Sequence, residues 1–173
     1  MAAKKACFLS GRPGSGKTTV IKEVLSRGEK SAGGFYTEEI RIQGVREGFR
    51  IITLEGKSAV LAHVGICSRY SVGRYGVDVG SIEDVAIPAL LNATRNQDIL
   101  VIDEIGKMEL LSASFGGAVL EALESGKKVL GTIMLGSHPW ADRFKERPDV
   151  EIIPVTRSNH VEVIDKIMDW LKS

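Results

Sequence analysis

The chain of 173 residues has almost no net charge: 23 Lys+Arg face 22 Asp+Glu, leaving +1. That balance argues against a dedicated nucleic-acid binder, which ordinarily carries a marked basic excess. Cysteine is scarce. Cys7 and Cys67 stand far apart with no CxxC, so they read as small buried hydrophobes in a reducing, cytoplasmic compartment rather than a disulfide or metal pair. His63, His138 and His160 are scattered, which excludes a histidine-rich zinc motif. No apolar run approaches the roughly 20 residues that cross a bilayer, so no membrane association is expected. The opening MAAKKACFLSG is too brief for a secretory leader and reads as a first β-strand. No feature calls for an obligate protein partner.

What remains is an ordinary globular composition, 43% hydrophobic and 26% charged, of a size that predicts one domain over residues 1–173. Glycine is the exception. Its 19 residues exceed the average of about 7% and point to tight turns or close backbone approach to a ligand.

Residues 4–9 form a short apolar run ending in glycine, and residues 16–27 place Val20, Ile21, Val24 and Leu25 at helical spacing: strand, loop, helix. Residues 33–63 are β-rich pieces parted by glycine turns, predicting a hairpin or small meander inserted into the fold. Residues 65–80 lack periodicity and read as a loop. Ser81, followed by Glu83 and Asp84, resembles a helix cap. The continuous apolar run Ile99–Ile102 suits a strand covered on both faces. A helix over 112–125, a strand over 127–135, a short helix over 139–146, a strand over 150–155 and a helix over 160–172 complete the pattern. Such alternation predicts a doubly wound, mostly parallel α/β sheet with the 33–63 segment as a β-hairpin insertion.

Residues 11–18, GRPGSGKT, match G-x-x-x-x-G-K-[ST] in full. A chance match in a chain of this composition has a probability of about one to two in a hundred, and strand before and helix after supply the required context. Gly11, Gly14 and Gly16 allow main-chain N–H groups to converge on a polyphosphate. Lys17 suits the β- and γ-phosphates, and the Thr18 hydroxyl suits Mg²⁺. The helix that follows turns its positive end toward the anion. Asp103, directly after the apolar strand, is the expected partner of Thr18 in holding Mg²⁺. Glu104 is placed to orient or deprotonate an attacking water. The predicted nucleotide contacts are Gly11, Arg12, Pro13, Gly14, Ser15, Gly16, Lys17, Thr18 and Thr19 from the loop, with Asp103, Glu104, Ile105 and Gly106 from the second element. Lys107 is the first candidate for neutralising charge on the departing phosphoryl group, with Arg69 and Arg74 competing for that role.

There is no NKxD-type guanine clamp and no dense arginine lid. Adjacent acids after the strand suit hydrolysis better than transfer to a second nucleotide. The leading expectation is a nucleoside-triphosphate phosphohydrolase acting with Mg²⁺. A nucleotide- or nucleoside-kinase type phosphotransferase and a nucleotide-dependent switch module are the alternatives.

Across nearly its whole length the chain resembles the small nucleoside-triphosphatase family first described from thermophiles, which includes the human cancer-related nucleoside-triphosphatase. The resemblance lies in GRPGSGKT, in GGFYTEEIR with GFRI (33–41 and 48–51), in VGRYGVDVGSIEDVAIPAL (72–90) and most distinctively in DEIGKMEL (103–110). VTRSNH (155–160) resembles a pattern that usually runs T-x-x-N-R, with His160 here in place of the arginine. The resemblance implies a monomeric RecA-like or nucleotide-kinase-like fold. It also implies slow, Mg²⁺-dependent hydrolysis of ATP, GTP, CTP and UTP with low base selectivity. Glu38 and Glu39 fit the family pattern; as exposed strand charges they also suit a role in solubility.

Overall fold

Every residue of the first strand, β1 (Ala6–Ser10), is buried, as a strand covered on both faces must be. The computed structural model describes residues 3–173. After β1, helix α1 (Lys17–Arg27) leads to an antiparallel series: β2 (Ala32–Ile42), β3 (Val45–Thr53), β4 (Ser58–His63), β5 (Ser71–Val72) and β6 (Tyr75–Val77). One turn of helix, α2 (Val79–Ser81), runs through a π turn over Ile82–Ala86 into α3 (Ile87–Asn96). Strand β7 (Ile99–Ile105), helix α4 (Phe115–Glu124), strand β8 (Lys128–Ile133), helix α5 (Pro139–Lys145), strand β9 (Val150–Pro154) and helix α6 (His160–Lys172) follow.

Among the described residues nine strands share one sheet, in the order β5-β6-β4-β3-β2-β7-β8-β1-β9. The pairings β2–β7, β7–β8, β8–β1 and β1–β9 are parallel. Successive side chains of a strand face opposite sides, so β1 and β7 feed two cores. Phe8, Leu100 and Ile102 pack with Phe35, Phe115 and Val119 on one face. Cys7, Leu9 and Val101 pack with Val20, Ile21, Val24, Ile164 and Ile167 on the other. The alternation of strand and helix therefore yields the doubly wound α/β sheet expected from the sequence.

The β-rich segment is joined more intimately than an insertion. The first residues of β2 pair in parallel with β7, Gly34 opposite Val101, before the strand continues antiparallel to β3. Gly34 has φ +114°, and a Cβ there would lie 2.9 Å from the Val101 nitrogen and closer still to its carbonyl oxygen. A side chain would push β2 off the central sheet.

Three expectations need correction. Residues 65–80 are not all loop, because β5 and β6 form a minute edge hairpin turning at Gly73 (φ +57°); two- and three-residue strands are too short to show periodicity. Ser81 is not the helix cap. The helix begins at Val79, and the one Ser81 hydroxyl proton is shared between the Val60 carbonyl at 2.7 Å and Asp78 Oδ2 at 3.1 Å. Cys7 is buried as anticipated, but Cys67 is exposed in the β4–β5 connection, and both thiols are free.

Candidate active site

The parallel register brings the carboxyl ends of β1, β8 and β7 side by side, with β8 in the middle. The loop after β1 winds through two glycines in the left-handed region, Gly14 (φ +77°) and Gly16 (φ +92°), before α1 starts at Lys17. Such positions cost non-glycine residues free energy, which explains the glycines. Lys17 Nζ donates to the carbonyls of Gly11 at 2.9 Å and Arg12 at 3.2 Å, so its ammonium lies over the loop. Ser15 Oγ is the one buried side-chain polar atom among the described residues without a hydrogen-bond partner.

Thr18, in the first turn of α1, donates to Asp103 Oδ2 at 2.6 Å across 85 positions of sequence. The other carboxylate oxygen accepts from Thr132 Oγ1 of β8 at 2.7 Å. The fully buried Thr132 thus links the two motifs from the strand between them. It was missed in the sequence because a lone threonine in a strand carries no pattern; only the strand order singles it out.

Asp103 is 3% exposed. Burial pushes its carboxyl upward, while the Thr18 and Thr132 hydroxyls and the Lys17 and Lys22 charges pull it down. Glu104 is also raised, first by burial and then by the charge of Asp103, with Lys17 opposing. A third acid, Glu109, was not anticipated. It is buried in the 3₁₀ turn after β7, and a Cβ on Gly106 would lie 2.8 Å from Glu104 Oε1 and 2.9 Å from Glu109 Oε2. Burial and the Glu104 charge hold Glu109 well above the usual carboxylate range. It lies inside DEIGKMEL, the stretch most distinctive of the family resemblance, but nothing in that stretch assigned it a role.

Two cavities flank these groups. One of about 690 Å³ lies beside the loop between Arg12 and Pro13 on one side and Ile152, Pro154 and Arg157 on the other. Asn159 braces that second wall: its Oδ1 accepts from Thr156 N at 2.8 Å and its Nδ2 donates to Pro154 O at 3.0 Å. His160 packs beneath the loop, donating from Nε2 to the Ser15 carbonyl at 2.6 Å. A Cβ on Gly16 would come within 2.8 Å of that nitrogen. The second cavity, about 370 Å³, contains Glu104, Lys107 and Glu109.

The expected phosphate-loop residues and Asp103 therefore meet, and Lys107 shares a cavity with Glu104. The rival arginines are engaged elsewhere: Arg69 donates to Tyr70 Oη at 2.8 Å, and Arg74 donates to the Arg46 carbonyl and to Tyr75 Oη. Glu39 pairs with Arg41 and Arg46 along the β2–β3 hairpin.

A sequence model for a family described as NTPase matches residues 6–168. The chain belongs to the NTPase family. A nucleoside-triphosphatase THEP1 from Thermotoga sp. (strain RQ2) is 44% identical over 165 residues, covering 95% of this NTPase and 94% of the relative. The human cancer-related nucleoside-triphosphatase is 39% identical over 186 residues, covering 96% of both chains. The crystal structure of THEP1 from Aquifex aeolicus superposes with a TM-score of 0.87 at 36% identity, over 97% of this NTPase and 99% of that chain. The match in sequence and the match in fold thus span the same almost complete length.

Proposed function

We propose that this NTPase hydrolyses nucleoside 5′-triphosphates to the diphosphate and phosphate, with Mg²⁺ and with low selectivity among bases. The single observation that carries this reading is the Thr18–Asp103–Thr132 chain of hydrogen bonds, which ties the phosphate loop to the acid near the carboxyl end of β7.

A hydroxyl and a carboxylate are hard oxygen donors, the set that Mg²⁺ favours. Among the described residues no group of three or more His, Cys, Asp or Glu could hold a metal. That agrees with Mg²⁺, which uses few protein ligands and completes its shell with water and substrate phosphates. Thr18 and Asp103 would hold it, and when bound it neutralises charge between the β- and γ-phosphates. The loop amides and the N-terminal end of α1 bind the phosphate oxygens. Lys17 leaves the Gly11 and Arg12 carbonyls for the β- and γ-phosphates, exchanging neutral acceptors for charged ones. Glu104 accepts a proton from the water that attacks the γ-phosphorus. Lys107 is the candidate for charge on the transferring group.

The nucleoside fits the larger cavity, whose walls are mainly apolar and whose Thr156 amide and Pro154 carbonyl are already bonded to Asn159. Beyond the Arg12 and Arg157 side chains, few groups remain to read base edges, which supports low selectivity. The test is product analysis with ATP, GTP, CTP and UTP, each with Mg²⁺ and with chelator. Diphosphate and phosphate in equal amounts from all four, only with the metal, are expected. Lys17→Ala should weaken triphosphate binding and hydrolysis together. A wild-type protein inert toward all four would refute the reading.

A further inference from the structure

The 370 Å³ cavity includes Glu104 in its lining but none of the phosphate-loop residues. Its polar groups gather at one end. Glu104 is the penultimate residue of β7, Lys107 and Glu109 follow in the next turn, and Thr37 lies on adjacent β2. Met108 and Met134 also line it, and the strands farther out in the sheet add only apolar side chains, Phe49 on β3, Leu61 on β4 and Val72 on β5. The volume falls within the range of small-molecule sites, about 300–1,000 Å³. Water alone needs neither this volume nor this apolar wall.

We propose that this cavity binds an uncharged nucleoside as a second substrate, whose hydroxyl replaces water as the nucleophile. The proposal rests on the phosphohydrolase reading above, since it uses the same bound triphosphate and the same Glu104. The chemistry of the lining selects the ligand class. No arginine lines the cavity and its one lysine is matched by Glu104, so nothing is left to offset the charge of a phosphorylated acceptor. A flat base suits the Phe49 end, where the ring also meets Tyr75 edge-on at a centroid distance of 5.3 Å. A sugar suits the end that carries Thr37 and the acids.

In the transfer step the acceptor oxygen forms a bond to the γ-phosphorus as the bond from that phosphorus to the β,γ-bridging oxygen breaks. The hydroxyl proton passes to the Glu104 carboxylate and then to solvent. The products are the nucleoside monophosphate and the nucleoside diphosphate, with no oxidant or further reactant required. Hydrolysis is the same event with water in the cavity.

The test supplies MgATP with millimolar uridine, cytidine, adenosine or guanosine and measures phosphate, ADP and nucleoside monophosphate separately. At least one nucleoside should yield monophosphate, with phosphate release falling as it forms. Val72→Trp, at a half-exposed edge position, should cut monophosphate formation by about tenfold or more by overfilling the cavity, leaving phosphate release without acceptor unchanged. Phe49→Ala should raise the KM for the nucleoside with the same release of phosphate, and it covers the case in which the tryptophan variant folds poorly. Active ATP hydrolysis with no monophosphate from any of the four nucleosides would overturn the proposal while sparing the hydrolase reading. Loss of phosphate release from the wild type would instead remove the hydrolase reading itself.

Discussion

Thr132→Val isolates the hydrogen bond that joins the two motifs. Valine nearly matches threonine in shape, so the change removes the 2.7 Å bond to Asp103 Oδ1 with little change in packing. A hydrogen bond to a charged group contributes about 1.5–3 kcal/mol. For a domain of this size each kcal/mol is worth roughly 2–4 °C in Tm, so a fall of about 3–12 °C is expected. The functional effect is sharper. Asp103 keeps only the Thr18 hydroxyl as a side-chain donor, and Thr18 is the residue with which it would hold Mg²⁺. Losing a partner that orients a metal ligand typically costs 10–100-fold in metal affinity or activity. The Mg²⁺ concentration for half-maximal hydrolysis should therefore rise by about 10–100-fold, with rate recovering as Mg²⁺ is added. A phosphate-release assay over a Mg²⁺ titration at saturating ATP reads this directly. A variant with lowered Tm but an unchanged Mg²⁺ midpoint would refute the reasoning and reduce Thr132 to a packing residue.

Glu109→Gln should stabilise the fold at neutral pH. Burial holds the Glu109 carboxyl well above its ordinary range, so the folded state keeps a proton that the unfolded chain releases above about pH 4.3. Stability is then complete below that pH and declines as pH rises toward the folded pKa. The Tm difference between variant and wild type should be near zero at about pH 4 and positive at about pH 8; a variant less stable at the higher pH would contradict it. Gly16→Ala should lose about 1–3 kcal/mol, because φ is +92° and its Cβ would strike the His160 ring. Thermal melts and nucleotide titration should show both stability and binding reduced.

How much of this was legible in the sequence depended on distance along the chain. GRPGSGKT is contiguous because one loop makes the whole cradle, and Asp103 was readable because an acid follows an uninterrupted apolar run, although the strand itself continues to Ile105. The helices fell near their predicted bounds where apolar spacing spans several turns, as in α6. Thr132 and Glu109 escaped because their roles come from strand order and burial. His160 was noticed as a departure from the family pattern, yet its seat under Gly16 exists only once α6 packs against the loop. The β2 strand was half seen: its alternation predicted a hairpin, whereas its parallel start beside β7 depends on Gly34 lying against a strand 67 positions away.

The most direct test of the mechanism is Glu104→Gln, followed by paired measurements of affinity for a non-hydrolysable ATP analogue with Mg²⁺ and of single-turnover phosphate release. A proton acceptor for water contributes about 10²–10⁴ in rate, so release should fall by that factor while analogue affinity stays close to wild type. Near-normal release, or an equal loss of binding and release, would remove Glu104 from the chemistry.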